Sequence, residues 1–212
     1  IERNGISPAP PALPAAILRR TFLAIVGLPP TPEQQAEFEK LPSNAALDEW
    51  VDSLLEHPGY GERWARHWLD LVRYADSNGY ERDSDKPFAW RYRDYVIRSL
   101  NEDKPFAQFM REQIAGDSIA SLPTEAQVGL GYYLIGPWDD EPTNPEQARY
   151  DQLDDFASTT SQVFLGIDIG CARCHDHKQD PISQEDYYSF AAIFADVRRP
   201  VKQGREMMMR LG

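Results

Sequence analysis

Residues 145–164, PEQARYDQLDDFASTTSQVF, decide the fold class, because they predict a long amphipathic helix. Apolar and small side chains recur there at i, i+3, i+4, i+7 and i+11, the spacing of one helical face. They are Leu153, Phe156, Ala157, Thr160 and Phe164. Asp151, Asp154 and Asp155 give the first half of the helix a negative charge. The helix leads the chain toward its two cysteines, Cys171 and Cys174.

Further helices are predicted by the same periodicity, and convincing period-two strands are absent. The predicted helices run from about residue 15 to Gly27, from a cap at Thr31, over 45–56, 61–75, 89–100 and 106–115, and from Ser183 onward. The last helix has a predicted buried stripe of Tyr187, Phe190, Ala191 and Phe194. We therefore expect an all-α fold, an irregular multi-helix domain with long polar loops over 76–87 and 136–145.

The chain of 212 residues is long enough to bury one core, and we expect one domain. Residues 1–14 are rich in proline and predict an extended lead-in. Residues 15–197 are expected to form the helical domain. Residues 198–212 are expected to be a tail that connects to a further segment.

The charge balance excludes some partners. The chain has 22 basic and 34 acidic residues, a net charge of -12, which repels nucleic-acid phosphates. No apolar stretch approaches the length needed to span a membrane. Five tryptophans indicate a folded protein rather than an acidic disordered segment.

The motif Cys171-Ala172-Arg173-Cys174-His175 has the spacing of covalent haem c attachment. Two thiols three residues apart can each add to a vinyl group of one porphyrin, and the following imidazole can bind the iron. The motif predicts one covalent haem c, held by Cys171, Cys174 and His175, near the C-terminal part of the domain.

Two other interpretations of the cysteines remain open, a disulfide and a metal staple. A zinc site needs four ligands, and a second pair in a standard spacing is missing. A redox-active CxxC of the thioredoxin kind belongs in a βαβ unit, which the sequence does not predict.

The sixth iron position separates an electron carrier from a catalyst. His67 is the candidate distal ligand, because it borders an apparent helical stripe of Trp64, Trp68 and Leu71. A hydrogen-bonded histidine at the edge of the core is the alternative for His67. His177 is expected to be a neighbour of the haem rather than a ligand of its iron.

Attachment of haem c takes place outside the cytoplasmic membrane, so the motif also predicts an extracytoplasmic protein. The acidic charge suits a positively charged redox partner. The polar loop over residues 73–85 suits binding of a sugar or a cation, although solvated loops are commoner.

Four motifs in the same order resemble the planctomycete-type cytochrome-c-associated domain. They are LRRTFLAIVGLPPTPEQ, YGERWARHWLDLVRYADSNGYERD, WRYRDYVIRSLNEDKPFAQFMREQIAGD and FLGIDIGCARCHDHKQDPISQEDYY, and the match spans roughly residues 19–194. The resemblance supports Cys171, Cys174, His175 and His177 as a CxxCHxH element, and places His67 in a second signature. Gln179 departs from the pattern, since an aromatic residue is usual there.

The resemblance implies an exported bacterial protein, periplasmic, secreted or at the cell surface, whose partners are further domains or chains of a larger assembly and a redox partner. The expected function is electron transfer or haem-dependent oxidoreductase chemistry. The alternatives are a haem-bearing catalytic domain that acts on carbohydrate, an expectation by analogy alone, and a structural module with a disulfide or metal staple.

Overall fold

The computed structural model describes residues 10–40, 43–81, 83–119, 126–139 and 141–198. Within these ranges the chain is mostly helical and forms no strand, so the all-α prediction is confirmed for them. A single antiparallel bridge joins Ser77 and Asp85 in this part of the chain. Most of the predicted lead-in and nearly all of the predicted tail lie outside the described residues.

Eight α-helices occur in the described ranges. They are α1 Pro14–Ile25, α2 Pro32–Lys40, α3 Asn44–Leu55, α4 Gly59–Leu71, α5 Ala89–Asn101, α6 Phe106–Ala115, α7 Pro145–Thr160 and α8 Gln184–Ala192. Shorter helical turns cover Gly116–Ser118, Ala126–Tyr133, Ser161–Leu165 and Gly170–Arg173.

Contacts divide the chain into two compact units, Ile1–Trp64 and Ala65–Gly212. The expectation of one domain over residues 15–197 stays a prediction, because compactness does not show whether two units fold independently. None of the described helices is both long enough and apolar enough to cross a membrane.

In the first unit, α1 packs against α2 and α3. Its small core consists of Leu18, Phe22, Val26, Phe38 and Leu54. Ser43 accepts a hydrogen bond from the amide of Ala46 and so caps the start of α3.

In the second unit, the 3-10 helix Ala126–Tyr133 packs against α5 and α6, and α7 packs against α8. Phe156 and Ala157 of α7 are fully buried, as the stripe of residues 145–164 predicts. Tyr187, Ala191 and Phe194 are also buried, and Phe190 is partly buried against the same core, so the predicted stripe of the last helix is confirmed.

Helix α8 begins where the sequence predicts. Ser183 and Asp186 form a reciprocal capping box, in which the Ser183 hydroxyl accepts from the amide of Asp186 and the Asp186 carboxylate accepts from the amide of Ser183. The Ser183 hydroxyl also donates to the Asp186 carboxylate over 2.7 Å, and this bond, together with the one from the Ser183 amide, holds the pKa of Asp186 below its usual value. The cap fixes the first turn of α8, and α8 contacts the 3-10 helix Gly170–Arg173, which contains Cys171.

Helix α4 buries a face shifted from the one predicted. Ala65 is 1%, Leu69 9% and Val72 0% exposed, whereas Trp64 and Leu71 are exposed. Of the predicted stripe only Trp68 packs against the core, where it is partly buried. The fully buried residues lie one position further along the helix than the large side chains at 64 and 71 suggested.

Helix α4 also ends at Leu71 rather than near residue 75. Arg73 has a φ of 52°, in the left-handed region that stops a helix. Its guanidinium donates to both carboxylate oxygens of Asp155 on α7, over 2.6 Å and 2.5 Å. This bidentate ion pair holds the end of α4 against α7.

Helix α7 continues into a π-helical turn, Ser161–Leu165, and stops at Gly166. Gly166 has a φ of 67°, which glycine adopts without strain. The chain then reaches the cysteines through Ile169, whose side chain is buried in the core of the second unit.

Candidate functional site

The two cysteines lie on one short turn. The 3-10 helix Gly170–Arg173 contains Cys171 and ends with Cys174 as its C-terminal cap. Side chains three residues apart eclipse one another in a 3-10 helix, so both cysteines project to the same side of the turn. Both thiols are free and both residues are exposed. We call residues 170–175 the cysteine turn.

The residues between the cysteines attach this turn to the rest of the unit. Ala172 is fully buried. The Arg173 guanidinium donates to Asp154 over 2.8 Å and to Asp151 over 2.7 Å, both on α7. These hydrogen bonds raise the pKa of Arg173, with Asp151 as the main cause, and hold the pKa of Asp151 below its usual value. The charged form of each partner is therefore favoured.

The backbone of Arg173 is held by α8. Its carbonyl oxygen accepts from the side-chain amide of Gln184 over 3.0 Å and from the hydroxyl of Tyr188 over 3.1 Å. The Asp176 carboxylate accepts from the amide of Gln184 over 2.9 Å. Two helices thus fix the side chain and the peptide of one residue in the turn.

Asp154 connects the turn to the core. Besides Arg173, it accepts a hydrogen bond from the hydroxyl of Tyr187, whose ring is buried. Burial and the Asp154 carboxylate both raise the pKa of Tyr187, so its hydroxyl stays protonated and donates. Tyr187 also contacts Tyr188 edge to face, with ring centroids 5.1 Å apart.

His175 is exposed, and its Nδ1 lies 2.7 Å from the backbone oxygen of Asp176. A carbonyl oxygen only accepts, so this contact assigns the proton of the neutral ring to Nδ1. The lone pair of Nε2 is then available for a metal, the arrangement in which a second hydrogen bond orients a ligating histidine.

His177 has the opposite arrangement. Its Nδ1 accepts from the amide of Asp180 over 2.9 Å, which places the proton of the neutral ring on Nε2. The Asp180 carboxylate lies 3.2 Å from the same nitrogen and would pair with the ring if it were protonated. Its own amide donates to the carbonyl of Ile182 over 2.8 Å, and its side chain is only 10% exposed. His177 therefore organises the turn after the motif, and its place beside a haem stays a prediction.

His67 lies on α4 and is exposed. It follows Ala65 by two positions, about 200° around the helix axis, and so faces away from the buried side of α4. His67 was predicted as a distal ligand because it borders a stripe of Trp64, Trp68 and Leu71, and that argument is wrong, since Trp64 and Leu71 are exposed. Its role as the distal ligand stays a prediction.

The polar loop predicted to bind a sugar or a cation closes on itself. The amide of Asn78 donates to the carbonyl of Ser84 over 2.9 Å, and the amide of Gly79 donates to Asp83 over 2.8 Å. Hydrogen bonds from Ser77 and then Gly79 hold the pKa of Asp83 below its usual value. The carboxylate of Asp83 thus serves the loop, and binding by this loop stays a prediction.

The arrangement fits a group that bonds both thiols and takes one imidazole as a ligand. Sequence reasoning found Cys171, Cys174 and His175 but missed the residues that hold them. Asp151 and Asp154 are three apart on α7 and share a face, which is the one sequence signal that pointed to a partner for Arg173. Within the described ranges, no group of three or more His, Cys, Asp or Glu side chains is gathered so as to hold a metal ion.

Comparison with known proteins gives one match. The model of the PSCyt2 family, described as "Protein of unknown function (DUF1549)", matches residues 1–199. No curated protein matches the chain. No solved structure matches it.

Proposed function

The chain belongs to the PSCyt2 family of unknown function, and on this premise we propose that it is an exported c-type cytochrome domain that binds one haem covalently. The domain would take part in electron transfer or redox catalysis within a larger multidomain protein or complex. The observation that carries the proposal is the cysteine turn, with two exposed free thiols on one side and His175 directly after them.

The thiols of Cys171 and Cys174 would each form a thioether by adding S–H across one vinyl group, which requires no leaving group. Both residues are exposed, so a porphyrin edge can approach the thiols from solvent. Ala172 is buried and Arg173 is held by hydrogen bonds, so neither side chain competes for the space in front of the thiols.

His175 would be the axial ligand through Nε2. The contact of its Nδ1 with the Asp176 carbonyl supports this role, because it fixes the tautomer that leaves Nε2 unprotonated. Bound haem would supply an iron centre that carries one electron.

The partners and the compartment are part of the proposal. Because haem c is attached outside the cytoplasm, the domain would work in the periplasm, at the cell surface or after secretion. Its partners would be neighbouring domains or chains and a redox protein, and the net charge of -12 favours one with a basic surface.

The test is the haem content of the chain, expressed with an export signal in a bacterium that attaches haem c. We expect a pyridine haemochrome spectrum of the c type and an intact mass increased by one haem. Cys171→Ala and Cys174→Ala should each leave one thioether and shift the haemochrome band to longer wavelength, and the double variant should lose covalent haem. A colourless wild-type chain with the mass of the polypeptide alone would refute the proposal.

The sixth position has its own test. His67→Ala should change the optical spectrum toward that of a high-spin iron if His67 is the distal ligand. His57→Ala is the matched control, because His57 accepts a hydrogen bond from the amide of Gly59 through Nδ1 and belongs to the other unit. An unchanged spectrum in His67→Ala would remove His67 as a ligand and leave the haem proposal intact.

A further inference from the structure

We propose that Arg173 is the positioning residue of the cysteine turn, and that it holds the two thiols side by side before any group is attached. The purpose of this device rests on the proposed function. The device itself is a property of the haem-free chain and can be measured there.

The turn separates reacting residues from holding residues. Cys171 and Cys174 are exposed. Arg173 makes four hydrogen bonds to other elements, two through its guanidinium and two through its carbonyl. Ala172 also holds the turn, through its burial and through its amide, which donates to the carbonyl of Ile169 over 2.9 Å.

The hydrogen bond that closes the turn is long. The amide of Cys174 lies 3.5 Å from the carbonyl oxygen of Cys171, whereas good backbone bonds are near 2.9–3.0 Å. Contacts from outside the turn therefore add to the support of Cys174. The peptide that joins Arg173 to Cys174 carries the carbonyl that Gln184 and Tyr188 hold, so that support acts next to Cys174.

The guanidinium and the carbonyl of Arg173 are held by different helices. Asp151 and Asp154 lie on α7, and Gln184 and Tyr188 lie on α8. Fixing both ends of one residue removes the freedom of the peptide to rotate, which a single contact would not do. Preorganisation of this kind lowers the entropy cost of bonding both thiols to one partner.

The measurement is the effective concentration of the two thiols for each other in the haem-free, reduced chain. The chain is equilibrated with glutathione buffers, where two protein thiols and one oxidised glutathione give the intramolecular disulfide and two reduced glutathione molecules. We expect Arg173→Gln to lower the effective concentration about fivefold, through the loss of two charge-assisted hydrogen bonds at a partly exposed site. Arg173→Lys should restore part of the loss, since an ammonium keeps the charge but not the planar fork.

A second variant keeps the proposal testable if Arg173→Gln does not fold. Tyr188→Phe keeps the ring and removes only the hydroxyl that donates to the Arg173 carbonyl, and we expect about a twofold loss. Arg93→Gln is the matched control, because it breaks an ion pair with Asp94 on α5 whose side chains are 44% and 36% exposed. We expect this control to match the wild type.

The outcomes are distinct from those of the haem test. Losses in Arg173→Gln and Tyr188→Phe, with far-UV circular dichroism unchanged and Arg93→Gln unaffected, would support the proposal. Unchanged effective concentrations in folded Arg173→Gln, or in Tyr188→Phe, would overturn it. Because no haem is present, the result stands whether or not the exported chain carries one.

Discussion

Glu112 provides the sharpest test of how the second unit is stabilised. Its carboxylate is 1% exposed and accepts three hydrogen bonds, from Lys104 over 2.7 Å, from Gln108 over 2.7 Å and from Tyr95 over 2.8 Å. Glu112→Gln keeps the volume but removes the charge, and leaves the ammonium of Lys104, whose side chain is 15% exposed, without its counter-ion. Removing one partner of a buried pair costs about 3–5 kcal/mol, and the partial exposure of Lys104 reduces our expectation to about 2–4 kcal/mol.

The same group predicts a pH dependence. Burial acts to raise the pKa of Glu112, but the hydrogen bonds from Lys104, Gln108 and Tyr95 outweigh it, so the folded pKa lies below the usual value. The ionised carboxylate therefore stabilises the fold fully above the unfolded pKa of about 4.3, and this contribution is lost as pH falls through the folded value. The difference in stability between wild type and Glu112→Gln should shrink below about pH 4.

The assay is hydrogen exchange of the amides in α5 and α6, because it reports on this unit alone. The most protected amides of Glu112→Gln should exchange faster than those of the wild type, by the factor that corresponds to a loss of about 2–4 kcal/mol in the free energy of unfolding. Asp94→Asn makes the same change from carboxylate to amide in an exposed ion pair, and should stay within about 0.5 kcal/mol of wild type. A loss below about 1 kcal/mol in Glu112→Gln, or one that does not shrink in acid, would contradict the assignment of a buried charged pair.

Two further predictions concern close packing and the two histidines of the motif. Gly136→Ala should destabilise the chain by about 1–3 kcal/mol in a thermal or urea melt, because its Cβ would lie 2.9 Å from guanidinium atoms of Arg73 that an ion pair holds in place. Gly116→Ala is the control and should leave the stability unchanged, since its Cβ would have no contact closer than 3.5 Å. Equal losses of stability in the two variants would refute the clash. Long-range nitrogen-15 spectra of the haem-free chain, recorded at a pH where the imidazoles are neutral, should show the Nδ1–H tautomer for His175 and the Nε2–H tautomer for His177. Finding the same tautomer in both would contradict the assigned hydrogen bonds.

The long helices were predictable because their signals are local. The stripe through Phe156 and Ala157 and the cap at Ser183 each lie within a few turns, and both are present. The 3-10 helix Ala126–Tyr133 gave no such signal, since its eight residues AQVGLGYY include two glycines, which disfavour a helix. Its place between α5 and α6 is set by tertiary packing, which periodicity does not contain.

The buried face of α4 shows a second limit. Large apolar side chains at Trp64 and Leu71 look like a core stripe, but the helix buries Ala65, Leu69 and Val72 instead. The left-handed Arg73, which ends the helix, depends on Asp155, a partner 82 positions later. Sequence reasoning about His67 failed for the same reason, since its support came from the wrong face.

In the candidate site, too, the sequence predicts residues that are close together in the chain but not the contacts with distant residues that hold them. Cys171, Cys174 and His175 are readable as candidates because the chemistry of the proposed haem attachment would fix their spacing within five positions. The positions between the cysteines are free in that chemistry, so the fold alone decides what occupies them. Here the fold places a fully buried alanine and an arginine with partners on two helices at these positions. A peptide with the same motif would have the thiols but not these contacts, so under the proposed function the contribution of this domain to haem attachment would lie in Ala172 and Arg173.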